Sequence, residues 1–286
     1  MSWMKIRLSM FLAFLALKII RTGEVPRHVA IIMDGNRRYA TKQNIPRKEG
    51  HTKGFNNLLK TISLCKDLGI VEITVYIFSI NNFKRTKEEV DDIMNIIKCF
   101  FEHTDKLADA GVCIRVIGNL SFLREDILKS IARAIITSKD NNKLILNLAC
   151  SYTSRDELTY AIKEITMGKM HNDILLEDIT KNLISDCLYT YKSSNPDLLI
   201  RTSGVFRLSD FLMWQVSTTC LYFTETLWPE FDLWDLLRAI FYYQACYSDL
   251  QKIRNNLKTI VSNTRVSMFI DKLHRKREII IENIYN

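Results

Sequence analysis

The sequence lacks the short motifs that identify several large classes of enzyme. Its nine glycines never form G-x-G, and no G-x-x-x-x-G-K-[ST] is present, so the dinucleotide, kinase and Walker phosphate loops are excluded. Its seven cysteines form no C-x-x-C pair and its five histidines form no H-x-x-x-H pair, which argues against a zinc site. An anionic ligand of this chain is therefore not expected to be an ordinary nucleotide.

Linkers rich in glycine, proline or serine are also missing, as are internal repeats and low-complexity tracts. The 286 residues are 47% hydrophobic and 25% charged, which is typical of a folded globular protein. The absence of a linker favours one domain over two. The scattered cysteines lie mostly in apolar surroundings, as buried free thiols do, which indicates a reducing compartment.

One apolar run, Leu8–Ile20, is too short to span a membrane comfortably and is interrupted by Lys18. Its position after Lys5 and Arg7 would suit a signal peptide, but no clear A-x-A cleavage site follows. We predict an interfacial or groove-packing helix, while a helix packed on its own domain accounts for the run equally well. The candidate anchors of an interfacial helix are Trp3, Phe11 and Phe14.

The formal net charge of +8 and the pI near 9.0 suit an anionic partner: a phosphate, a nucleic acid or an acidic membrane face. Neither an RNA-recognition signature nor zinc-finger spacing is present, so nucleic acid is not an expected partner.

Six short apolar runs predict β-strands, and helical patterns separate most of them. The runs are continuous rather than alternating, which indicates strands buried on both faces. This order predicts an α/β fold whose mostly parallel central sheet is covered by helices, with a helical region from Asp232 onward. The predicted strands are Val29–Met33, Glu72–Phe78, Cys113–Gly118, Leu144–Cys150, Asp197–Thr202 and Leu221–Thr224.

Local signals mark where helices begin and end. Capping boxes at Thr86–Glu89 and Ser154–Glu157 predict helix starts. Gly69 and Gly111 stand where helices should end before a strand.

Polar and charged side chains follow three of the predicted strands. Asp34–Arg38 follows the first strand, Ser79–Arg85 the second, and Arg201–Gly204 the fifth, with Arg207 and Ser209 shortly after. Ligands of open α/β sheets bind outside the carboxyl ends of the strands, so these segments predict a polyanion site with a place for a metal.

The first cluster suits a diphosphate. Gly35 allows a sharp turn, and Asn36 to Tyr39 would open a helix whose free N–H groups favour a phosphate. Asp34 would repel a bare phosphate, so its presence indicates a bridging Mg²⁺, although a helix N-cap would account for it equally well. The arginines that could add bidentate hydrogen bonds are Arg37, Arg38 and Arg85.

The second cluster could hold another phosphate. It consists of Arg201, Arg207 and Ser209, and by itself it could also be a solvated loop. Two such clusters at neighbouring strand ends indicate two phosphate sites more strongly than either cluster would by itself.

Five motifs in order, between Pro26 and Leu250, resemble those of the cis-prenyltransferases, and of their eukaryotic members in particular. The D-D-x-x-D pair of the trans-prenyltransferases is absent, which agrees with that resemblance. The motifs are HVAIIMDGNRRYA (His28–Ala40), RKEGH (Arg47–His51), VYIFSINNFKR (Val75–Arg85), IRTSGVFRLSDFLMWQ (Ile200–Gln215) and LWPEFD (Leu227–Asp232).

The resemblance implies the cis-prenyltransferase fold and a specific reaction. Isopentenyl diphosphate would add repeatedly to farnesyl diphosphate, giving cis double bonds and a long dehydrodolichyl diphosphate for dolichol synthesis and protein glycosylation. It also implies a division into an N-terminal apolar helix (1–25), a catalytic domain (26–250) and a C-terminal helical extension (251–286).

The same resemblance implies the roles of the candidate residues. Asp34 would organise Mg²⁺ at the allylic diphosphate, and His51 and Asn82 would lie near the reacting centre, with Ser79 and Arg85 in support. The isopentenyl diphosphate would be held by Arg201, Arg207 and Ser209. The allylic diphosphate would be bound by Gly35, Asn36, Arg37, Arg38 and Arg47.

The resemblance further implies a tunnel for the growing chain, in which each buried five-carbon unit could contribute up to roughly 4 kcal/mol. Phe78, Phe83, Phe100 and Phe101 could line it, although ordinary core packing accounts for each of them as well.

Three positions depart from the family pattern. Cys220 stands where bacterial members carry a metal-binding glutamate, and cysteine is a poor Mg²⁺ ligand, so the metal would depend more on Asp34. Val205 replaces an acidic residue after I-R-T-x-G, and Asn81 replaces the glutamate of S-x-E-N.

Family enzymes use an R-x-G tail that reaches the substrate, and Gly204 is the last glycine of this sequence. We therefore expect a Nogo-B-receptor-like subunit to supply that tail, joined through the helices that follow LWPE. The partner would attach the enzyme to the cytosolic face of the endoplasmic reticulum membrane. Two alternatives are a non-catalytic scaffold subunit of the same fold, and a basic RNA- or membrane-binding module without chemistry.

Overall fold

The computed structural model describes residues 15–255 and 263–286. The proposed anchors Trp3, Phe11 and Phe14 therefore lie outside the described residues. Residues 15–20 are helical, and Gln244 Nε2 donates a hydrogen bond to the carbonyl oxygen of Ile20 at 2.8 Å. In the described ranges, no helix combines the length and the apolar character that crossing a membrane requires.

All six predicted strands are present, each within two residues of its predicted ends. They form one sheet in the order β3-β4-β2-β1-β5-β6, and β1 with β5, β5 with β6, and β3 with β4 pair in parallel. This confirms the predicted α/β fold. The strands are β1 (His28–Ile32), β2 (Glu72–Ser79), β3 (Val112–Ile117), β4 (Leu144–Tyr152), β5 (Leu198–Arg201) and β6 (Cys220–Phe223).

Helices occupy most of the sequence between the strands. The last two confirm the helical character predicted from Asp232 onward. In chain order they are α1 (Asn36–Lys42), α2 (Arg47–Leu68), α3 (Lys87–Glu102), α4 (Asp105–Asp109), α5 (Glu125–Ser138), α6 (Ser154–Met170), α7 (Lys181–Cys187), α8 (Leu233–Asn255) and α9 (Thr264–Tyr285).

Helices end next to Gly69 and Gly111 as predicted, but the capping at the starts of α3 and α6 differs from the prediction. The Thr86 hydroxyl accepts the Glu89 N–H at 3.4 Å as expected, but the Glu89 carboxylate pairs with Arg85 instead of closing the capping box. At α6 the cap is Thr153, one residue before the predicted Ser154. Glu157 is fully buried and its carboxylate accepts a hydrogen bond from the Tyr152 hydroxyl at 2.5 Å, as a buried carboxylate requires a donor inside the fold.

The described chain folds into two compact units. Unit 1 consists of described residues within Met1–Val75, Asn195–Leu208 and Gln215–Asn256. Unit 2 consists of Tyr76–Ser194 and Ser209–Trp214 with described residues within Leu257–Asn286. The domain boundaries at residues 25 and 250 stay a prediction.

Within unit 2, the C-terminal helix α9 packs through one face into a core of apolar side chains. Its buried residues Val266, Phe269 and Leu273 contact side chains of α6, α7 and the segment between them. Gly168 of α6 permits this packing, since a Cβ there would lie 2.5 Å from the Phe269 ring. The other members of the cluster are Ala161, Ile165, Ile174, Leu183, Cys187 and Leu188.

A buried carboxylate holds the start of α9. Asp178 accepts hydrogen bonds from Arg265 Nε at 2.8 Å, from Asn263 Nδ2 at 2.8 Å and from the Leu175 N–H at 2.8 Å. The hydrogen bond from Arg265 and the others that it accepts hold the pKa of Asp178 well below its usual range.

We expect Asp178→Asn to lower the Tm at neutral pH. A carboxylate whose pKa is lowered by folding stabilises the protein above its unfolded pKa of about 4, and this stabilisation is lost as the pH falls. The Tm difference from the unaltered protein should therefore shrink below about pH 4. Thermal unfolding at pH 7 and pH 3 tests this, with the exposed Asp271→Asn as control. A difference that does not change with pH would contradict it.

Candidate active site

In unit 1, the carboxyl ends of β1 and β5 bring Asp34 and Arg38 of the first predicted cluster close to Arg201 of the second. Ile32 and Arg201 are paired in register, and Asp34 follows two residues after Ile32. The Arg201 side chain is 3% exposed and donates from Nη2 to Asp34 Oδ2 at 2.8 Å. Arg38, one helical turn after Asp34, places Nη2 3.6 Å from Oδ1. The carboxylate of Asp34 therefore lies between two guanidinium groups.

The main chain of Asp34 is held as firmly as its side chain. Its N–H donates to Thr202 Oγ1 at 3.0 Å, and its carbonyl oxygen accepts from the same hydroxyl at 2.7 Å. The Trp228 N–H also donates to that carbonyl at 3.0 Å. The I-R-T and LWPE motifs thus meet at the Asp34 residue.

Arg38 is fixed by Ser203. Its Nη1 donates to the Ser203 carbonyl at 2.7 Å, and its Nη2 donates to the Ser203 hydroxyl. Ser203 has a φ of 80°, a left-handed conformation that a non-glycine residue rarely adopts. Such strain persists where the surroundings impose it, and it often marks a functional site.

Gly35 makes the turn between β1 and α1, with a φ of 111°. A Cβ at this position would also lie 3.0 Å from Ser203 Cβ and from Leu227 Cδ2. Both the conformation and the close approach therefore require glycine, as the sequence predicted.

The remaining predicted residues of unit 1 are distributed over two helices and a loop. Asn36 is the first residue of α1, and α1 approaches α2 closely enough that a Cβ at Gly54 would overlap Asn36 Oδ1. Arg37 is exposed on α1, and Arg47 and His51 lie one turn apart on α2. Arg207 is exposed, and its carbonyl oxygen accepts a hydrogen bond from Arg201 Nη1.

In unit 2, the end of β2 forms a rigid turn that carries the second strand-end motif. The Ser79 N–H donates to Asn82 Oδ1 at 3.0 Å, while the Ser79 hydroxyl accepts the Asn81 N–H at 3.2 Å. This reciprocal cap opens a 3₁₀ helix, Ile80–Lys84, and fixes the amide of Asn82. Arg85 follows and donates from Nη1 to the buried Glu89 at 2.9 Å.

Ser209 begins a second short segment of unit 2 with unusual backbone geometry. Ser209, Asp210 and Leu212 all have positive φ angles, of 51°, 62° and 50°. Asp210 accepts a hydrogen bond from Arg155 Nε at 2.9 Å, and the buried Phe211 ring stacks on Tyr76 with a centroid distance of 4.5 Å. The segment is therefore held in one conformation, with Ser209 exposed.

A comparison with known families shows to which family the chain belongs. A family model described as "Putative undecaprenyl diphosphate synthase" matches residues 32–250. The chain belongs to this family of prenyltransferases. The membership confirms the resemblance to cis-prenyltransferases and the prediction of an enzyme that transfers prenyl groups.

Curated relatives and a solved structure agree with the family. The chain is similar to the dehydrodolichyl diphosphate synthase complex subunits of Mus musculus and Homo sapiens, each 48% identical over 260 residues. In both cases the match covers 89% of this chain and 78% of the relative. It is also similar to the crystal structure of lavandulyl diphosphate synthase from Lavandula x intermedia in complex with dimethylallyl diphosphate. That match has a TM-score of 0.73 and 35% identity, and covers 77% of this chain and 95% of the other.

Cys220 is the departure from the family pattern on which the structure bears most directly. It is paired with Leu198 at the beginning of β6, three residues or about 10 Å before the level of Arg201. Burial raises the pKa of its thiol to about 12, with the neighbouring Cys246 acting in the same direction. Mg²⁺ prefers oxygen ligands, so the role of Cys220 at this position stays a prediction.

Asp34 fits a Mg²⁺ site of the open kind. In the described ranges, no three histidine, cysteine or acidic side chains group together as metal ligands. Mg²⁺ needs no such group, because it keeps several waters and binds through one or two carboxylates and substrate phosphates. The Asp34 side chain is 32% exposed, and its Oδ1 lies 3.6 Å from Arg38 Nη2, which is longer than a hydrogen bond. This oxygen can therefore serve as the carboxylate ligand of Mg²⁺.

The four aromatic residues suggested for a tunnel all belong to unit 2. Phe78 and Phe101 are buried, and the Phe78 and Phe83 rings pack edge to face with centroids 4.9 Å apart. Phe100 packs in the same way on Phe101, at 5.4 Å. These contacts are those of a packed core, and a role in a tunnel stays a prediction.

The sequence interpretation missed the residues that hold the site in place. Thr202, Ser203 and Trp228 each lie inside a recognised motif, but only their contacts with Asp34 and Arg38 reveal what they do. Asn57 was missed as well; it is buried in α2 and donates to the Trp228 carbonyl at 2.7 Å. An asparagine next to the apolar residues on the buried face of α2 was the available signal for it.

Proposed function

We propose that this chain is the catalytic subunit of a heteromeric cis-prenyltransferase that extends farnesyl diphosphate with isopentenyl diphosphate to dehydrodolichyl diphosphate. The observation that carries this proposal is the partly exposed Asp34 carboxylate after the end of β1, which lies between the buried Arg201 and the half-exposed Arg38. The relatives named as dehydrodolichyl diphosphate synthase complex subunits support it. A scaffold subunit would have no need of a cationic cluster around a partly exposed carboxylate.

The cluster suits the chemistry of diphosphate departure. As the allylic C–O bond breaks, negative charge builds on the leaving diphosphate, and fixed cations stabilise that state more than the ground state. Arg38 is already oriented by Ser203, so little reorganisation is needed when the charge develops. Mg²⁺ held by Asp34 would neutralise part of the diphosphate charge. We assign Gly35, Asn36, Arg37, Arg38 and Arg47 to the allylic diphosphate.

We assign Arg201, Arg207 and Ser209 to the diphosphate of isopentenyl diphosphate. Arg207 and Ser209 are exposed and open to a ligand. Arg201 is almost completely buried and bonded to Asp34 and to the Arg207 carbonyl, so its contribution to this diphosphate site is to orient those two groups. Anchoring both diphosphates would place the alkene against the allylic carbon. The support of this chemistry by Ser79, Arg85, Asn82 and His51 stays a prediction.

We also propose the partner and the location. The word "complex" in the names of the mouse and human relatives supports a second subunit. We propose that a Nogo-B-receptor-like subunit supplies the R-x-G tail and attaches the enzyme to the cytosolic face of the endoplasmic reticulum membrane. Omitting that subunit, or removing its tail, should then abolish most activity.

Incorporation of labelled isopentenyl diphosphate, with farnesyl diphosphate and Mg²⁺, tests the proposal. The chain is assayed alone and after coexpression with the partner subunit. We expect strong activity only in the complex and a loss of at least about tenfold on Asp34→Asn, which keeps the shape of the side chain but removes its charge.

Two outcomes would count against the proposal. Full activity of the complex with Asp34→Asn would favour the hypothesis that this chain is a non-catalytic scaffold and that the partner subunit carries out the chemistry. Full activity of the chain alone would contradict the requirement for a partner while leaving the catalytic role of this chain intact.

A further inference from the structure

We propose that Thr202 is a positioning residue for the reaction, because its hydroxyl sets the direction in which Asp34 presents its carboxylate. This inference rests on the proposed function, since it concerns the use of Asp34 at the allylic diphosphate. Thr202 itself is completely buried and can contact neither substrate nor solvent.

The geometry is that of a clamp on one residue. Oγ1 of Thr202 accepts the Asp34 N–H at 3.0 Å and donates to the Asp34 carbonyl at 2.7 Å, so both main-chain groups of Asp34 meet one hydroxyl. The Asp34 N–H lies 3.0 Å from the Ile32 carbonyl as well, and the Asp34 carbonyl also accepts from Trp228. Of these three partners, the Thr202 hydroxyl is the one that bonds to both the N–H and the carbonyl of Asp34.

The clamp matters because Asp34 lies beyond the last paired residue of β1. The ladder between β1 and β5 ends at Ile32 and Arg201, and the left-handed Gly35 follows directly after Asp34. Without a further constraint, the peptide groups between a strand end and a glycine turn can rotate. Beyond the last ladder pair, the Thr202 side chain provides the next connection between the two chain segments, because its hydroxyl bonds to the main chain of Asp34.

The side-chain contacts of Asp34 depend on that orientation. Arg201 Nη2 reaches Oδ2 at 2.8 Å, and Arg201 directly precedes Thr202 in the chain. The last residue of β5 and the residue after it therefore fix the carboxylate and the backbone of Asp34 together. A rotation of the Asp34 peptide would move the carboxylate away from Arg201 and from any metal bound to it. Removing the outer partner of a metal ligand typically costs tenfold to a hundredfold in affinity or activity.

The test compares Thr202→Val, which keeps the shape but loses the hydroxyl, with Thr202→Ser, which keeps the hydroxyl. Both are made in the coexpressed complex. We expect Thr202→Val to lose about tenfold to a hundredfold of activity and to need more Mg²⁺ for half-maximal rate, while Thr202→Ser recovers most of both. A second readout needs no turnover: the rise in Tm caused by Mg²⁺ with farnesyl thiodiphosphate should shrink in Thr202→Val and return in Thr202→Ser.

A matched control separates positioning from loss of stability. Thr104, in unit 2, is buried and donates its hydroxyl to the Phe101 carbonyl at 2.9 Å. Thr104→Val should lower the Tm of the unliganded protein but keep the Tm rise caused by the ligand and the Mg²⁺ requirement. If Thr202→Val does not fold, Thr202→Ser and Thr202→Ala still differ by the hydroxyl alone.

The inference is overturned if Thr202→Val keeps its activity and ligand-induced Tm rise, or if Thr202→Ser falls as far as Thr202→Val. Asp34→Asn in the same assay distinguishes the two proposals. Loss of activity in Asp34→Asn without loss in Thr202→Val contradicts the positioning role alone, whereas full activity in Asp34→Asn contradicts the site itself.

Discussion

Arg201→Lys is expected to lower the kcat/KM for isopentenyl diphosphate by about a hundredfold or more, even though it keeps the positive charge. The guanidinium of Arg201 makes two directed contacts at once, with Asp34 Oδ2 at 2.8 Å and with the Arg207 carbonyl. A lysine presents a single ammonium on a flexible chain and cannot hold both groups in that geometry.

The expected hundredfold loss follows from the burial of the hydrogen bonds that Arg201 makes. Hydrogen bonds to charged groups contribute about 1.5–3 kcal/mol each, and each 1.36 kcal/mol of transition-state stabilisation is a factor of ten in rate. The loss of one such bond and the distortion of the other therefore correspond to about two orders of magnitude. Because Arg201 is only 3% exposed, solvent cannot replace the missing contacts.

Steady-state kinetics of the complex, with farnesyl diphosphate saturating, provide the measurement. Arg238→Lys is the matched control, since Arg238 also bonds an aspartate, Asp235, at 2.9 Å but is 68% exposed. An exposed pair contributes little, so this variant should differ from the unaltered complex by less than about threefold. Equal losses in both variants, or near-normal activity of Arg201→Lys, would show that the buried bonds to Asp34 and Arg207 are not what the reaction uses.

The sheet could be predicted because the information that specifies it is local and repeated. Strands such as β1 are buried along their whole length, and only apolar residues can fill such positions, so the pattern is visible in the sequence. Parallel order followed from the helices between the strands. Capping was less reliable: Thr153 and Ser154 offer similar hydroxyls, but Thr153 caps α6, and the Ser154 hydroxyl accepts the Met213 N–H at 3.0 Å in a tertiary contact.

The candidate site could be predicted by residue type but not by contact. Sequence order placed Asp34 and Arg201 at strand ends, and the parallel pairing of β1 with β5 brings them together. The left-handed backbone of Ser203 left no trace in the sequence, because serine does not favour that conformation and tertiary contacts impose it. Arg201 was predicted as a substrate ligand, and its burial against Asp34 depends on packing that no pattern reports.

The contacts of the LWPE motif could not be predicted from the sequence either. Its role is structural support of the turn that contains Asp34. Trp228 is 1% exposed; its indole N–H donates to the Gly54 carbonyl at 2.7 Å, and its own N–H donates to Asp34. One residue thus links α2 to the turn after β1. The sequence indicated that the motif matters without indicating what Trp228 contacts.

Trp228→Ala is therefore expected to cost about 3–5 kcal/mol of the free energy of unfolding, the usual range for removing a buried aromatic side chain. Trp228→Phe should cost less, about 1–3 kcal/mol, because it refills much of the space but leaves the Gly54 carbonyl without its donor. Both variants keep the main-chain bond to Asp34, so the difference between them measures cavity formation against the lost hydrogen bond. Urea unfolding of the isolated chain, followed by circular dichroism, gives these values.

Trp234→Ala serves as the control, because Trp234 lies in the same unit but is 40% exposed. Its replacement should change the free energy of unfolding by less than about 1 kcal/mol, as expected for a surface substitution. If Trp228→Ala were no more damaging than Trp234→Ala, the turn after β1 would not depend on the packing of Trp228. The position of Asp34 would then depend on Arg201, at the end of β5, and on Thr202, which follows it.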